Sequence, residues 1–265
     1  MENFDILQIQ ERVWRILDSE KDTFYLIEGN EKAAVIDTGV TEGGQLLPML
    51  RTLTQKPLVL ILTHAHIDHF HHMDEFDTVF MCHDELTMPG WFLHEMMAGK
   101  DLKLDKTIPI DTDSRIDLGD RVLKICKVPG HTPGSAVIYD ARDNFVYTGD
   151  AIGSGCGVWM QLPGCSSLAA YEENLRFFLC WLLDQGGKME FWGGHCNQSW
   201  ESKHVPGFNP LSMGLLADLI DLVRAVRSGH LTGEVIDLPP HLREREARYA
   251  AWGRAEMLYN PDKLN

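Results

Sequence analysis

The sequence predicts a single α/β domain spanning residues 1–265, in which residues 205–265 form a helical C-terminal extension. Short apolar runs typical of strands and longer segments with helical periodicity mix along the whole chain. No repeat and no Ser/Gly-rich linker divides it. The apolar fraction of 44% and the charged fraction of 24% are those of a folded globular domain and argue against disorder.

The N-terminal part is predicted to consist mainly of strands. Residues 13–17 form a short candidate strand, and the apolar runs 23–27 and 33–36 flank a Gly-Asn turn, which predicts a hairpin. A helix is expected around residues 45–55. The run 57–62 is continuously apolar, as expected for a strand buried on both faces.

The middle of the chain continues the α/β pattern. Four strands are expected there, at residues 78–82, 121–128, 136–139 and 145–147. Between the first and second of these strands, residues 84–100 are rich in Met, Trp and Phe. This segment is interpreted as helical, and its composition fits an apolar lid over a site as well as it fits a packed core segment.

Helix signals are clearest after residue 166. Apolar residues recur at helical spacing over 168–182, after a serine N-cap and before a pair of glycines. Asn209 and Pro210 are interpreted as the N-cap and first residue of a second helix, which ends at Gly229. A charged helix over residues 241–258 is expected to close the chain.

The chain is strongly acidic, with 39 Asp and Glu residues against 24 Lys and Arg residues and a formal charge of −15. Such a surface repels phosphate groups, so we expect no nucleic-acid partner and no membrane partner. No apolar run approaches the ~20 residues that span a bilayer, and residues 1–5 lack the features of a signal peptide. We expect a cytoplasmic protein that acts on a small molecule, with the apolar stripe of 211–226 as core or as a homodimer contact.

Histidine and aspartate residues concentrate directly after the continuous apolar run. The segment HAHIDH, from His64 to His69, contains four residues of the types that bind metal ions. Positions i and i+2 of an extended backbone point the same way, so His64 and His66 can bind one ion. Asp68 and His69 then face away from that pair and can reach a second ion. A chance His-rich loop is the alternative, which four ligand types in six residues disfavour.

Three further ligand-type residues follow two predicted strands and one more apolar stretch later in the chain. His131 lies in PGHTPGS, Asp150 ends YTGD, and His195 ends GGH. Each alone is a weak signal, because a solvated loop His or Asp is the commoner case. Together with the HAHIDH segment they give four His/Asp clusters at four strand ends, where α/β sheets commonly place their sites.

The ordered set HxHxDH, GHTPGS, TGD and GGH resembles the metallo-β-lactamase-fold superfamily over about residues 20–200, and its GHTPGS form resembles the glyoxalase II and lactonase members. The resemblance implies an αββα sandwich, in which two mixed β-sheets pack face to face with helices outside. It implies a first metal bound by His64, His66 and His131, and a second bound by Asp68, His69 and His195. It further implies that Asp150 bridges both metals, and that Asp37 of the Asp-Thr-Gly turn is a structural residue beside the ligand loop.

This ligand set implies two divalent metal ions, with Zn²⁺ favoured and Mn²⁺ or Fe as alternatives. Two ions about 3.5–4 Å apart lower the pKa of a shared water from its bulk value towards ~7. The resulting metal-bridging hydroxide is expected to cleave a small ester, thioester, lactone or related acyl substrate. Asp68 and Asp150 are the expected catalytic residues: Asp68 orients the hydroxide and carries a proton, and Asp150 holds the two metals together.

Two other functions remain open on the same fold. A mononuclear-iron sulfur dioxygenase keeps the HxHxDH motif, and a phosphodiesterase for small molecules needs no basic surface. A diiron flavoprotein is disfavoured because such proteins carry Glu where His66 stands, and a non-catalytic binding protein is disfavoured because every expected ligand position is filled.

Several residues near the motifs have more than one interpretation. The family usually follows the DH pair with a small residue and glycine, whereas this chain has Phe70, His71 and His72. The two histidines are interpreted as solvated loop residues or helix N-terminal donors, or alternatively as substrate contacts or an extra metal ligand. The Gly-rich segment 153–160 is expected to be a mobile wall of the site or a packing element, and Cys196 a buried structural thiol.

Overall fold

The computed structural model describes residues 4–41, 45–100, 102–153, 157–195 and 211–265. Within these ranges the chain forms two large β-sheets that pack face to face, a smaller sheet near the C-terminus, and helices on the outer faces. The predicted α/β sandwich is therefore confirmed. None of the helices in the described ranges combines the length and the apolar character required to span a bilayer.

The first sheet has seven strands in chain order, and it is mixed because β1–β4 are antiparallel neighbours whereas β4–β7 are parallel neighbours. Its strands are β1 (Asp5–Gln10), β2 (Val13–Leu17), β3 (Thr23–Glu28), β4 (Ala33–Ile36), β5 (Leu58–Ile61), β6 (Val79–Met81) and β7 (Ile108–Pro109). The predicted hairpin and the buried fifth strand are confirmed.

The second sheet has five strands and is also mixed. Its strands are β8 (Arg115–Asp117), β9 (Val122–Lys127), β10 (Ala136–Asp140), β11 (Phe145–Gly149) and β13 (Glu190–Gly193). The order is β13-β11-β10-β9-β8, with β11 and β13 parallel and the other neighbours antiparallel. The predicted strands in this part of the chain are confirmed to within two residues.

Side-chain alternation along the strands builds the core between the two sheets. On β3, Tyr25 and Ile27 point towards the second sheet and join Ile138 and Tyr147 in one buried cluster. The rings of Tyr25 and Tyr147 have centroids 4.7 Å apart. Leu26, between them, points to the opposite face and joins the helices. Period-two alternation in strands thus separates an inner and an outer core.

In the described ranges five α-helices lie outside the sheets: α1 (Leu46–Leu50), α2 (Ile67–Phe70), α3 (Gly90–Met96), α4 (Leu168–Gln185) and α5 (Met213–Arg227). Short 3-10 helices cover Met73–Glu75, His83–Thr87, Leu104–Lys106 and Pro240–Leu242. The prediction for α4 is confirmed, and its N-cap is Ser167, whose hydroxyl accepts the Ala170 N–H at 3.3 Å. The helix expected over 45–55 is shorter than predicted.

An ion-pair cluster joins the last two helices. The Glu172 carboxylate on α4 accepts hydrogen bonds from Arg176 at 2.8 Å and from Arg227 of α5 at 2.6 Å. The buried stripe of α5, from Leu215 to Val226, packs against α4 and the C-terminal strands. The interpretation of this stripe as core is therefore confirmed.

The prediction of a charged helix over residues 241–258 is wrong. β15 (Ala247–Trp252) and β16 (Ala255–Tyr259) form an antiparallel hairpin, which β14 (Glu234–Ile236) and β12 (Val158–Met160) extend to four strands. Gly253 occupies the hairpin turn with φ of 60°, a conformation that suits glycine. Helix-favouring Ala, Glu and Arg residues misled the sequence interpretation, because pairing with the other strands outweighs their propensity.

The start of α5 also differs from the prediction. The helix begins at Met213, and Ser212 is its N-cap, with its hydroxyl accepting the Leu215 N–H at 3.1 Å. Asn209 and Pro210, the predicted start, lie outside the described residues. The described part of the C-terminal extension, residues 211–265, is therefore a helix followed by three strands rather than helical throughout.

Candidate metal centre

The seven residues predicted to bind metals lie together at one edge of the sandwich, each just after a strand. The loop after β5 and the start of α2 carry His64, His66, Asp68 and His69, the loop after β9 carries His131, and Asp150 and His195 follow β11 and β13. Distances between their ligand atoms group them into two separate sets and a third group, His64, His69 and Asp150, that shares one residue with each set. The order of the strands in the two sheets brings these residues together, although they are distant in the sequence.

The first set consists of His64, His66 and His131, all buried. The Nδ1 atom of His66 lies 3.1 Å from Nε2 of His64 and 3.0 Å from Nε2 of His131. Two nitrogens that bind one zinc ion at ~2.0–2.1 Å in tetrahedral geometry are about 3.3 Å apart. The three imidazoles are therefore spaced as ligands of one ion.

The second set consists of Asp68, His69 and His195. The Oδ2 atom of Asp68 lies 3.6 Å from Nε2 of His69 and 3.4 Å from Nε2 of His195. One carboxylate oxygen and two imidazole nitrogens thus converge from two separate loops.

Asp150 lies between the two sets. Its Oδ1 atom is 3.5 Å from Nε2 of His69, and its Oδ2 atom is 3.5 Å from Nε2 of His195 and 3.7 Å from Nε2 of His131. The side chain is buried. Its two oxygens therefore face ligand atoms of both sets, which is the position required of a bridging carboxylate.

Asp37 orients His69 directly and His64 through the hydroxyl of Thr63. Its carboxylate accepts the Nδ1–H of His69 at 2.8 Å, and it also accepts the backbone N–H and the hydroxyl of Thr63, at 2.8 and 2.7 Å. The Thr63 hydroxyl in turn accepts the Nδ1–H of His64 at 3.0 Å. Holding Nδ1 as a donor leaves the Nε2 lone pair directed into the site.

The other two imidazoles that present Nε2 are held in the same way. The Asp22 carboxylate contacts Nδ1 of His195 at 2.9 Å, and the carbonyl oxygen of Trp159 accepts from Nδ1 of His131 at 2.7 Å. The sequence interpretation did not identify Asp22. An aspartate in the turn before β3 carries no motif of its own, and only the fold brings it to His195.

Burial favours the uncharged imidazole in the three-histidine set. It lowers the pKa of His66 to about 3, and it lowers the pKa of His64 and of His131 below the ordinary value. Burial alone would raise the pKa of Asp150, but the neighbouring imidazoles hold it well below its usual range. Neutral imidazoles and an ionised carboxylate are the protonation states that bind a divalent cation.

Negative charge dominates the second set. Burial opposes protonation of His69 and His195, yet the carboxylates of Asp68 and Asp150 raise the pKa of these imidazoles well above the ordinary value. Two buried atoms at the centre, Nε2 of His69 and Oδ1 of Asp150, make no hydrogen bond. A cation would neutralise this charge and satisfy both atoms. The described His and Asp residues therefore fit metal ions.

Comparison with known proteins identifies the family. The sequence profile of the Metallo-beta-lactamase superfamily matches residues 23–179. The chain belongs to this superfamily. Acyl-coenzyme A thioesterase MBLAC2 from Bos taurus is 27% identical over 229 residues, which cover 72% of this chain and 78% of that protein. The chain is thus a metal-dependent hydrolase of the metallo-beta-lactamase superfamily, as predicted.

Two more proteins are similar to this chain, one in sequence and one in fold. Hydroxyacylglutathione hydrolase from Hahella chejuensis is 28% identical over 138 residues, covering 50% of this chain and 46% of that protein. A metallo-beta-lactamase from Pontibacter korlensis has a similar fold, with a TM-score of 0.59 at 15% identity, over 82% of this chain and 99% of that one. The sandwich inferred from the motifs is therefore the superfamily fold.

A buried carboxylate that the sequence interpretation missed connects the two loops of the three-histidine set. Glu85, in the 3-10 helix after β6, is fully buried, and its Oε2 atom accepts the Ala65 N–H at 2.7 Å. Its Oε1 atom accepts the Gly134 N–H at 2.6 Å and the Thr132 hydroxyl at 2.5 Å. A Cβ atom at Gly134 would lie 2.8 Å from Oε1, so only glycine admits this approach. Glu85 thus fixes the loop of His64 and His66 relative to the loop that carries His131.

The unusual residues after the DH pair have structural contacts. Phe70 is in the apolar core, and His72 is buried with Nδ1 2.9 Å from Oε1 of Glu75. The Glu75 carboxylate accepts the N–H groups of Leu46 and Leu47 at the start of α1, at 3.0 and 2.8 Å. The interpretation of His72 as a solvated residue is therefore wrong. Neither His71 nor His72 belongs to a metal-ligand set among the residues that the structure describes.

A cavity of about 400 Å³ opens beside both ligand sets. Residues of α3 form one wall, so the predicted lid segment does line the site, although Phe92 is itself buried in the core. Trp159 of β12 forms another wall, as one interpretation of 153–160 expected. Residues 154–156 and Cys196, to which the sequence interpretation gave roles, lie outside the described residues.

Proposed function

We propose that the chain is a dinuclear metal-dependent hydrolase that cleaves the ester or thioester bond of a small acyl substrate. One observation carries the proposal: ligand atoms from four loops form two separate sets, and the buried carboxylate of Asp150 faces both and forms a third group with one histidine of each. A site for a single ion needs only one of these sets. A second ion explains why the site has a second complete set, in which Asp22 orients His195.

In this proposal His64, His66 and His131 hold one ion, Asp68, His69 and His195 hold the other, and Asp150 contacts both. When bound, two such ions supply hydroxide at neutral pH and polarise the carbonyl oxygen of the substrate. A set of imidazoles and carboxylates without thiolate suits Zn²⁺, with Mn²⁺ and Fe as alternatives. The orienting carboxylates Asp22 and Asp37 add negative charge that favours divalent cations.

Asp68 and Asp150 are the proposed catalytic residues, and their surroundings give them different roles. The Asp68 side chain is 27% exposed and lines the cavity, so it can orient a water molecule towards the substrate and pass a proton to the leaving group. The Asp150 side chain is 9% exposed and sits between the ligand sets, so it holds the two halves of the site in register. Both carboxylates are therefore needed, Asp68 for proton transfer and Asp150 for the arrangement of the site.

The acyl substrate class is supported by the relatives and by charge. The two relatives described above are named as an acyl-coenzyme A thioesterase and a hydroxyacylglutathione hydrolase, so both names specify an acyl substrate. The formal charge of −15 disfavours polyanionic partners such as nucleic acids. We accordingly propose a small-molecule substrate, and we keep the cytoplasmic location and the homodimer as predictions.

A substrate panel tests the proposal. The metal-loaded protein and its Asp150→Asn variant are assayed on acyl thioesters, acyl esters, a lactone and bis-p-nitrophenyl phosphate, and oxygen uptake is followed with a persulfide. We expect acyl hydrolysis that the variant loses while its circular dichroism spectrum is unchanged. Oxygen uptake without acyl hydrolysis would replace the proposal with the dioxygenase, and turnover of only the phosphodiester would replace it with the phosphodiesterase.

A further inference from the structure

We infer that the cavity beside the metal centre binds the acyl part of the substrate and selects an uncharged, apolar acyl chain. We further infer that the C-terminal region of this chain builds part of the selecting wall. The inference rests on the proposed function for the identity of the reaction, and it rests on the cavity for the chemistry of the chain.

The walls of the cavity are apolar and come from four separate parts of the fold. The apolar side chains that line it are Ile67, Phe92, Met96, Trp159, Leu162 and Leu242. At about 400 Å³ the cavity is within the size range of small-molecule sites. Apolar walls of this extent bind methylene groups by removing them from water.

Two wall residues touch the metal-ligand histidines directly. The ring of Phe92 lies edge-on to the ring of His66, with centroids 5.8 Å apart. The carbonyl of Trp159, whose side chain forms part of the opposite wall, holds Nδ1 of His131 at 2.7 Å. The apolar walls therefore begin where the carbonyl carbon of a bound substrate must sit, and the chain attached to that carbon extends along them.

Charge in the cavity acts against a second anionic group on the substrate. Apart from the proposed metal ligands, the ionisable side chains among its described lining residues are Glu95 and His241, both exposed and so at the rim. The described lining includes neither Lys nor Arg. A carboxylate at the far end of the acyl chain would lose its hydration without gaining a cationic partner. A neutral chain has no such cost.

Leu242 and His241 lie in the 3-10 helix Pro240–Leu242, far beyond residue 179, where the superfamily match ends. The Gln161 side-chain amide donates to the Leu242 carbonyl at 3.3 Å, and the Glu244 N–H donates to the Gln161 carbonyl at 3.3 Å. Gln161 is fully buried and directly follows β12, the strand that carries Trp159. These two hydrogen bonds hold the C-terminal region against the cavity wall that Trp159 forms. The C-terminal region therefore contributes to substrate selectivity from outside the part of the chain that the superfamily profile matches.

A series of thioesters with one neutral thiol, N-acetylcysteamine, tests the selectivity. The acyl groups are acetyl, butanoyl, hexanoyl and octanoyl, with succinyl as the charged counterpart of butanoyl. We expect kcat/KM to rise by about fourfold for each added methylene until the cavity is filled. We expect the succinyl thioester to be about 100-fold poorer than the butanoyl thioester. Equal rates along the series, or preference for succinyl, would overturn the inference.

The substitution Leu242→Asn tests the role of the C-terminal region, because Asn is similar in size but polar. We expect the octanoyl thioester to lose about tenfold in kcat/KM and the acetyl thioester to lose much less. Val235→Asn is the matched control, since Val235 is in the same region but 60% exposed and outside the cavity lining. An equal loss for both thioesters in the Leu242 variant would contradict the assignment.

A binding measurement separates failure of this inference from failure of the proposed function. Titration calorimetry compares 2-decanone with 2-butanone on the metal-loaded protein and on its Leu242→Asn variant, without any turnover. Tighter binding of the longer ketone, weakened by the substitution, supports the cavity assignment even if no thioester is hydrolysed. Thioester hydrolysis combined with equal binding of the two ketones would support the function and overturn the inference.

Discussion

Removing the Glu85 carboxylate should weaken both the fold and the metal centre. In the folded protein this fully buried group accepts hydrogen bonds from the Ala65 and Gly134 N–H groups and from the Thr132 hydroxyl. Glu85→Ala leaves two buried N–H groups unpaired at a cost of ~1–3 kcal/mol each, so we expect the free energy of unfolding to fall by about 3–5 kcal/mol. Glu85→Gln keeps one acceptor oxygen and should cost about 1–3 kcal/mol.

The effect on the metal centre follows from the loops that Glu85 connects. Ala65 lies between His64 and His66, and Thr132 follows His131, so loosening these contacts lets the three imidazoles separate. We expect metal affinity in Glu85→Gln to fall by about tenfold or more.

Urea unfolding of the metal-free protein measures the stability change, and competition with a chromophoric chelator measures the affinity. Glu173→Gln, on an exposed position of α4, is the matched control and should change neither quantity. If Glu85→Gln kept both the stability and the metal affinity of the parent protein, the role given to this carboxylate would be refuted.

Three further predictions concern other buried carboxylates and the unusual histidine. Asp37→Asn replaces the acceptor of the His69 Nδ1–H, so metal affinity measured by chelator competition should fall about 10–100-fold, and an unchanged affinity would contradict the orienting role. Burial opposes ionisation of Glu172, but hydrogen bonds from Arg176 and Arg227 hold its pKa below the ordinary value of 4.5, so its contribution to stability exists above that pH and is lost on acidification. Unfolding at pH 7 should therefore show Glu172→Gln destabilised by about 1–2 kcal/mol, and at pH 3 the difference from the parent should shrink; a constant difference would be inconsistent with this. His72→Ala should leave the metal content by elemental analysis unchanged while lowering the melting temperature, and loss of an ion would show that it is a ligand after all.

The sequence predicts the parts of the site that the backbone pattern determines locally. His64 and His66 share an extended segment after a strand, so their common direction follows from spacing alone. The relation of this segment to His131, Asp150 and His195 required the family resemblance, because strand order in a mixed sheet is a long-range property. The structure brings all five together at one edge of the sandwich.

The residues that sequence interpretation missed act through long-range contacts. Asp22 reaches His195, and Glu85 joins two loops that are 67 positions apart at Ala65 and Thr132. Neither carboxylate stands in a motif with a chemistry of its own. The C-terminal strands were missed for a related reason: their Ala, Glu and Arg residues favour helix in isolation, whereas pairing with β12 and the hairpin turn favour strand.

The central claim is that two metal ions are held by residues that share Asp150, and elemental analysis of the metal-saturated protein tests it most directly. We predict two divalent ions per chain in the parent protein. We predict fewer in Asp150→Ala, whose circular dichroism spectrum should match that of the parent. A single ion per chain at saturation, or two ions retained after loss of Asp150, would contradict the claim.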